Sequence, residues 1–438
     1  MCEDGRKSMR CGDTQGNKAQ TGGESRKIFL VGIGPGAAGT MTAEALDAVR
    51  GSDCLIGAQR MLEAAGSERA EGTPVFCEYR ADGILSYLRE HPQFRSVAVL
   101  LSGDGGFYSG AKKLEDLLAE EADRYEVQRI PGISSIACLA ARLGTSWEDG
   151  AVVSLHGQEG NFIQTIDRNK KTFLLLGGAG AGERMLRRLT EYGMDHVTVC
   201  IGRRLSYPDE CIRCGHPGEL SKADADGLCV VMVLNPRPNP AAGCHIRDEA
   251  FLRGNVPMTK EEVRAVSLAK LELTQDAVVY DIGAGTGSVS VEAAGCRDSI
   301  RVYAVEKKAE AVELLKQNRR RFRADGICIV EGEAPGALES LEAPTHVFIG
   351  GSSGNLREIL SIVLEKNPDV RIVINAISLE TLEEAVSAAK EGLLRDVQVT
   401  QVAAARSREL GRYHMMTGLN PVFIISAGGK EQPAGEKE

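Results

Sequence analysis

The stretch VVYDIGAGTGSVSVE, residues 278–292, is an apolar strand that meets an acid, breaks into three glycines and restarts as a helix. Such a turn lets backbone N–H groups and a helix N-terminus approach a ligand closely. A dinucleotide fingerprint requires G-x-G-x-x-G, whereas Gly283, Gly285 and Gly287 are followed directly by Ser288, so the last glycine falls early. Asp281, just ahead of the glycines, is expected to face the crevice, where a carboxylate repels a pyrophosphate and suits an ammonium group. S-adenosylmethionine (SAM) is a nucleoside ligand of that kind. The loop Gly283, Ala284, Gly285, Thr286 and Gly287 would cradle it. Downstream, RVYAVEKK reads as a second strand ending in Glu306, placed to accept both ribose hydroxyls. GICIVEGEAP reads as a third, bringing Glu333 and Ala334 to the adenine. Any one of these acids could be a turn or cap residue; three at successive strand ends point to a nucleoside site.

The neighbouring elements must position this loop and its acceptor. PMTKEEVRAVSLAKLEL opens a helix with Thr259 and Glu262 at capping-box spacing, either as a plain cap or as a lid over the methionine end. After the fourth strand, HVFIGGSSGNL carries Gly350 and Gly351 without the proline and aromatic clamp of enzymes that methylate exocyclic amines. Near the start, three further strand–loop–helix turns recur. VGIGPG contains Gly34, Pro35 and Gly36; SGDGGF contains Gly103 and Asp104; PGISS contains Ser134 and Ser135. Turns without side-chain bulk admit another backbone or a ligand. Asp104 and Ser134 read equally well as a turn former and a helix cap.

A chain of 438 residues suggests two or three domains, and 43% hydrophobic with 26% charged residues is an ordinary globular composition. No apolar run reaches the roughly 20 residues of a membrane span. The first 27 residues lack the apolar core of a signal peptide and read as a disordered tail of a cytoplasmic protein. A net charge of −9 argues against a nucleic-acid partner. Cys54, Cys138, Cys200, Cys229 and Cys328 sit singly in apolar segments and read as reduced, buried thiols. Cys211 and Cys214, with His216, have ligand spacing, but a lone C-x-x-C is weak and no metal is expected. NPRPNPAAGCHIRDE is a stiff linker, and short strands alternate with helices on both sides of it, the pattern of α/β sheets. The expected layout is a tail to residue 27, a domain over 28–236, a linker over 237–245, a second domain over 246–428 and a polar tail over 429–438. The two halves show no internal repeat. NRRRFR, residues 318–323, reads as a solvated helix end.

The motifs VPMTKEEVRAVSLAKL, VVYDIGAGTGSVSVEAA, VYAVEKK, VFIGGSSGNLREIL and RIVINAISLETLEEA together resemble the CbiT family of cobalamin biosynthesis, the decarboxylating precorrin methyltransferases. The resemblance covers nearly all of 245–427 and implies a Rossmann-like class I SAM-dependent methyltransferase domain. SAM would contact Thr259, the loop from Gly283 to Gly287, Glu306 and Ala334. The three early turns resemble the tetrapyrrole methylase superfamily, and LLLGG and IGRRLSYPDECI resemble its CbiE members over roughly 27–236. That implies a tetrapyrrole methylase fold of two α/β subdomains with its own SAM site. A CbiE-like half joined to a CbiT-like half is similar to the precorrin-6Y C(5,15)-methyltransferases (decarboxylating). The implied chemistry is methylation of a precorrin tetrapyrrole at meso carbons 5 and 15 with loss of the carbon-12 acetate carboxyl as CO2. Dimeric CbiE-like and tetrameric CbiT-like units imply a homo-oligomer. A polycarboxylate substrate calls for arginines, and the candidates are Arg203 and Arg204 in the first half and Arg406 and Arg408 in the second. Methylation of RNA, modification of a protein, and non-catalytic SAM binding are the competing readings.

Overall fold

The computed structural model describes residues 25–155, 161–239 and 245–428. Residues 1–24 of the expected first tail, 240–244 of the linker and the tail 429–438 lie outside them. Among the described residues no helix is long and apolar enough to cross a membrane. The chain divides into two compact units, 1–135 and 136–438, each α/β.

In the first unit five parallel strands form one sheet: β1 (Arg26–Gly32), β2 (Cys54–Gly57), β3 (Val75–Cys77), β4 (Ser96–Leu101) and β5 (Tyr125–Ile130), in the order β3-β2-β4-β1-β5. FLVG and SVAVLL are near-continuous apolar runs because such strands are buried on both faces. The expected tail is too long by two residues, since Arg26 and Lys27 belong to β1. Arg26 is buried, and its guanidinium donates to the carbonyls of Leu88 (2.6 Å), Phe94 (2.7 Å) and His91 (3.0 Å). Leu88 and His91 lie in the last turn and at the C-cap of the helix Ala81–Glu90, where carbonyls have no partner within the helix.

The second unit holds two sheets and a hairpin. Strands β6 (Ala151–Leu155), β7 (Lys171–Leu176), β8 (Thr198–Arg203), β9 (Cys211–Gly215) and β10 (Cys229–Leu234) form a mixed sheet in the order β6-β7-β10-β8-β9. Cys200 and Cys214 lie opposite each other across β8 and β9 and are joined as a disulfide. Cys200 is therefore not the reduced thiol expected of it, and its partner came from the pair considered for a metal. Cys54, Cys138 and Cys229 are buried free thiols, while Cys328 is exposed.

The other sheet has seven strands: β11 (Val278–Ile282), β12 (Arg301–Glu306), β13 (Ile327–Glu331), β14 (His346–Ile349), β15 (Arg371–Ala376), β16 (Gln398–Val402) and β19 (Val422–Gly428). Their order is β13-β12-β11-β14-β15-β19-β16, the first five parallel and β19 antiparallel to both of its neighbours, β15 and β16. Strand order reverses between β11 and β14, which opens a crevice at their carboxyl ends. A hairpin of β17 (Ala405–Leu410) and β18 (Tyr413–Gly418) leaves the sheet between β16 and β19.

Within this unit the segment carrying β6–β10 is docked on the seven-stranded sheet's domain through buried polar contacts. Asp325 accepts the backbone N–H groups of Phe162 and Ile163 (2.9 Å each) and Gln164 (3.1 Å), the first turn of helix Ile163–Arg168. It also pairs with Arg188 at 3.0 Å. Burial raises its carboxyl above the usual range, against the pull of these four donors. Around it Arg323 pairs with Asp167, Arg168 with Asp298 (3.1 Å), and Arg320 with Glu191 (3.5 Å). The NRRRFR end is thus a docking surface rather than only a solvated helix end. Replacing Asp325 by Ala should cost on the order of 3 kcal/mol, because three amides lose their acceptor in a buried setting. Calorimetry should show a lowered unfolding midpoint, with Asp325→Asn, which keeps an acceptor oxygen, falling between the two; an unchanged midpoint in Asp325→Ala would contradict the assignment.

Candidate functional site

The crevice at β11 and β14 is a cavity of about 590 Å³, within the range that encloses a small ligand. Its floor is the turn after β11, where Gly283 and Gly285 have φ of +73° and +55°. A Cβ on Gly283 would sit 2.8 Å from the Gly351 carbonyl oxygen and 3.0 Å from its nitrogen, so the turns after β11 and β14 touch backbone to backbone. Only glycine meets both conditions at this position. Gly283, Ala284 and Gly285 line the cavity, as expected; Thr286 and Gly287 do not. Gly287 instead lets Leu315 pack against the turn, and Thr286 is buried beneath it.

Glu306 ends β12 at the cavity wall. One carboxylate oxygen accepts the Gly285 N–H at 2.8 Å, and the other accepts those of Lys307 and Lys308 at 2.9 Å. The acid thus shapes the glycine turn while presenting its remaining lone pairs to the cavity. Glu333 and Ala334, beyond β13, complete that wall, with Glu333 paired to Lys307 at 2.7 Å. The structure therefore brings together Thr259, Gly283, Ala284, Gly285, Glu306, Glu333 and Ala334.

Two expectations need correction. Asp281 does not line the cavity. In a strand buried on both faces its side chain turns to the helix Ser288–Cys296, where Ser290 donates to one oxygen and the other is buried without a partner. Burial pushes its carboxyl up to about 6 from 3.8. Thr259 and Glu262 form no capping box. The helix is Glu261–Leu271, its N-cap position is Lys260 with no side-chain cap bond, and Glu262 instead binds Arg406. Thr259 still lines the cavity, as a strap with Val256–Met258 and Lys260.

The arginine candidates disperse. Arg406 is bound to Glu262 and Asp248, and Arg204 pairs with Asp209 at 2.7 Å. Arg203 donates to the Ala223 carbonyl, and Arg408 is exposed on β17. Arg406 and Arg408, the candidates of the second half, do not line its cavity. The rest of the cavity lining includes Gly350–Ser353, Asn375, Val402, Ala404 and Gly418–Asn420. Sequence reasoning missed Asn375, whose side-chain carbonyl accepts from Ser267 at 3.1 Å. An amide in the otherwise apolar run RIVINA was the available signal.

The first unit holds a second constellation. Gly34 and Gly103 exchange backbone hydrogen bonds of 3.1 and 2.8 Å, tying the turn after β1 to the turn after β4. Asp104 accepts from Gly106 (2.8 Å) and from Gly132 (3.0 Å), which ties in the turn after β5. A Cβ on Gly132 would collide with the carbonyls of Gly103 and Gly32. The Pro35 carbonyl accepts from Arg60, Gly36 has φ of +148°, and Ser134 leads into the helix Ser135–Arg142. Gly34, Pro35, Gly36, Gly103, Asp104, Ser134 and Ser135 thus sit on three adjoining turns at the carboxyl ends of β1, β4 and β5. Among the described residues no His, Cys, Asp or Glu cluster could hold a metal ion.

Residues 249–427 match the family described as precorrin methyltransferase domain, and residues 27–220 match the tetrapyrrole (corrin/porphyrin) methylases. A probable cobalt-precorrin-6B C(15)-methyltransferase (decarboxylating) from Pyrobaculum calidifontis is 45% identical over 191 residues, 43% of this chain and 97% of that protein. The cobalt-precorrin-6B C(15)-methyltransferase (decarboxylating) of Salmonella typhimurium is 41% identical over 189 residues, 42% of this chain and 97% of that protein. A crystal structure of precorrin-6y C5,15-methyltransferase from Geobacter metallireducens is 39% identical, with 42% of this chain and 98% of that one covered and a TM-score of 0.41.

Two outcomes are expected from the geometry. Gly283→Ala should weaken nucleoside binding at the cavity by at least about tenfold, since it combines a disfavoured φ with a backbone clash; titration calorimetry with SAM reads this, and full affinity would refute the cradle. For Asp281, a carboxyl raised by the fold, the stabilising contribution is complete below about 3.8 and is lost as pH rises to about 6. Denaturation curves should show Asp281→Asn gaining stability relative to the parent across that window; a constant difference would contradict the buried, underbonded carboxyl.

Proposed function

The chain belongs to the family of decarboxylating cobalt-precorrin C(15)-methyltransferases, and on that premise we propose that it methylates a precorrin-6B tetrapyrrole, or its cobalt form, twice and decarboxylates it once. The half from 246 to 428 acts at carbon 15 and removes the carbon-12 acetate carboxyl. The half from 28 to 236 acts at carbon 5, and the linker 237–245 joins them. Each half holds its own SAM. The observation that carries this reading is the cavity of the seven-stranded sheet, where a glycine turn, a ribose-facing acid and an adenine-side wall meet at three adjoining strand ends.

The residues present suit SAM. The Gly283–Gly285 turn offers close backbone approach, Glu306 supplies carboxylate lone pairs for hydroxyls, and among the described residues no arginine lines the cavity. When bound, SAM supplies an electrophilic methyl group. The acceptor end is built from backbone, Ser352, Ser353, Asn375 and Asn420, groups that orient a ligand rather than abstract a proton. That suits an enamine-like meso carbon, which is already nucleophilic and needs in-line placement. At carbon 15 the electron pair of the broken carboxyl C–C bond returns to the macrocycle, so charge balances without a strong protein base. The strap Val256–Lys260 covers one side of the cavity and limits water.

The first unit's cradle supports the second cofactor site. Its three glycine turns interlock so closely that Gly132 has no room for a methyl group. Mass spectrometry of product from the whole chain, SAM and precorrin-6B should show two methyl groups gained and one CO2 lost. Gly283→Ala should leave a singly methylated product that keeps its carboxyl, and Gly132→Ala should lose the carbon-5 methyl. Two methyl groups from Gly283→Ala at the parent rate would overturn the division of labour; no transfer by the parent to the metal-free or the cobalt substrate would overturn the function.

A further inference from the structure

Arg406 stands outside the cavity, on the hairpin strand β17, yet it closes a buried charge network around the cavity's strap. Its guanidinium makes two 2.6 Å bonds to the Glu262 carboxylate and one of 3.0 Å to Asp248. The other Asp248 oxygen accepts from Arg264 at 3.2 Å, and the Asp248 N–H donates to Glu261 at 2.9 Å. Arg264 is fully buried. It pairs with Glu292 at 2.5 Å, donates to the Thr259 carbonyl at 2.7 Å and also grips the Ile246 carbonyl. Glu292 accepts the N–H groups of His245 (3.0 Å) and Ile246 (3.1 Å). Four pieces meet in this network: the strap leading to Thr259, the helix Glu261–Leu271, the helix after the glycine turn and the hairpin.

Both ends of the connection touch the cavity. Val256–Lys260 line its cofactor side, while Ala404 and Gly418–Asn420, the base of the hairpin, line its acceptor side. The Leu419 N–H closes that base on the Ala404 carbonyl at 2.8 Å.

We propose that Arg406 is a positioning residue that latches the acceptor-side hairpin to the cofactor-side strap, so that the two walls of the cavity hold or open together. The proposal rests on reading the cavity as the SAM site. It assigns to Arg406 a role different from holding a substrate carboxylate. Bidentate Arg–carboxylate geometry fixes orientation as well as distance, so lysine cannot replace it fully. Arg264 then transmits the hairpin's position to the Thr259 backbone through the shared Asp248.

The test measures SAM affinity by titration calorimetry and the Michaelis constant for the tetrapyrrole at saturating SAM in Arg406→Met, Arg406→Lys and Glu262→Gln, with circular dichroism to confirm folding. Hydrogen exchange over residues 245–260, which includes the Asp248 amide, is followed in parallel. The latch is expected to give about tenfold weaker SAM binding in Arg406→Met. Arg406→Lys should be partly rescued, exchange at Asp248 should be faster, and Arg406→Met with Glu262→Gln combined should be no worse than Arg406→Met alone. Unchanged SAM affinity with a raised tetrapyrrole constant would make Arg406 a substrate anchor and overturn the latch. Should the parent chain bind no SAM, the cofactor reading falls by itself, and exchange over 245–260 decides the latch: unchanged protection in Arg406→Met overturns it.

Discussion

Backbone must touch backbone where the parallel strands end, and much of this protein follows from that contact. In the seven-stranded sheet the Gly283 turn lies against Gly351; in the first unit Gly132 lies between the carbonyls of Gly103 and Gly32. A single added methyl group would separate the turns in either place. The crevice, the hydrogen bond from Gly285 to Glu306, and the seating of Leu315 behind Gly287 are possible only with the turns that close. Two unrelated sheets have met one requirement, a cradle without side-chain bulk, with the same residue.

Much of this was legible from residue order. The strand–glycine–helix turn, the acid at the end of β12 and the small-residue wall after β13 are local patterns, each set by one short segment, and the cavity gathers them as the pattern requires. Side-chain direction was less legible. Asp281 sits one residue before the end of β11, and the two-residue alternation of a strand turns it toward Ser290, away from the crevice. Thr259 reads as a helix cap at capping-box spacing, but the helix starts at Glu261 with Lys260 at its N-cap, and Arg264 holds the Thr259 carbonyl in the strap before it. Long-range charge pairing was not legible at all. Arg406 finds Glu262 across 144 positions, and the arginines of 319–323 find Glu191 and Asp167 on a segment more than a hundred residues earlier. Composition places such residues on a surface but does not say which surface will cover them.

Buried charge is used in two ways here. Around Asp325 it fixes the docking of the segment that carries β6–β10 onto the domain of the seven-stranded sheet, where three backbone amides and Arg188 converge on one carboxylate. Around Arg264 it fixes a strap whose residues would otherwise be a loop of exposed backbone, and links it to the hairpin through Arg406. Each site would be costly with a member missing and is stable because every charge has a partner and most have backbone donors or acceptors besides. The relatives from Pyrobaculum calidifontis and Salmonella typhimurium align almost end to end with 43% and 42% of this chain, and the match to the precorrin methyltransferase domain lies in its second half. In this chain, the face around Asp325 on that half is occupied by the first.

We propose that one chain carries two independent SAM cradles. Titration calorimetry of SAM into the full chain tests it most directly. Two molecules bound per chain is the expected result. A stoichiometry of one would remove the cofactor from one of the two sets of glycine turns and contradict the claim, and a stoichiometry of zero would remove it from both.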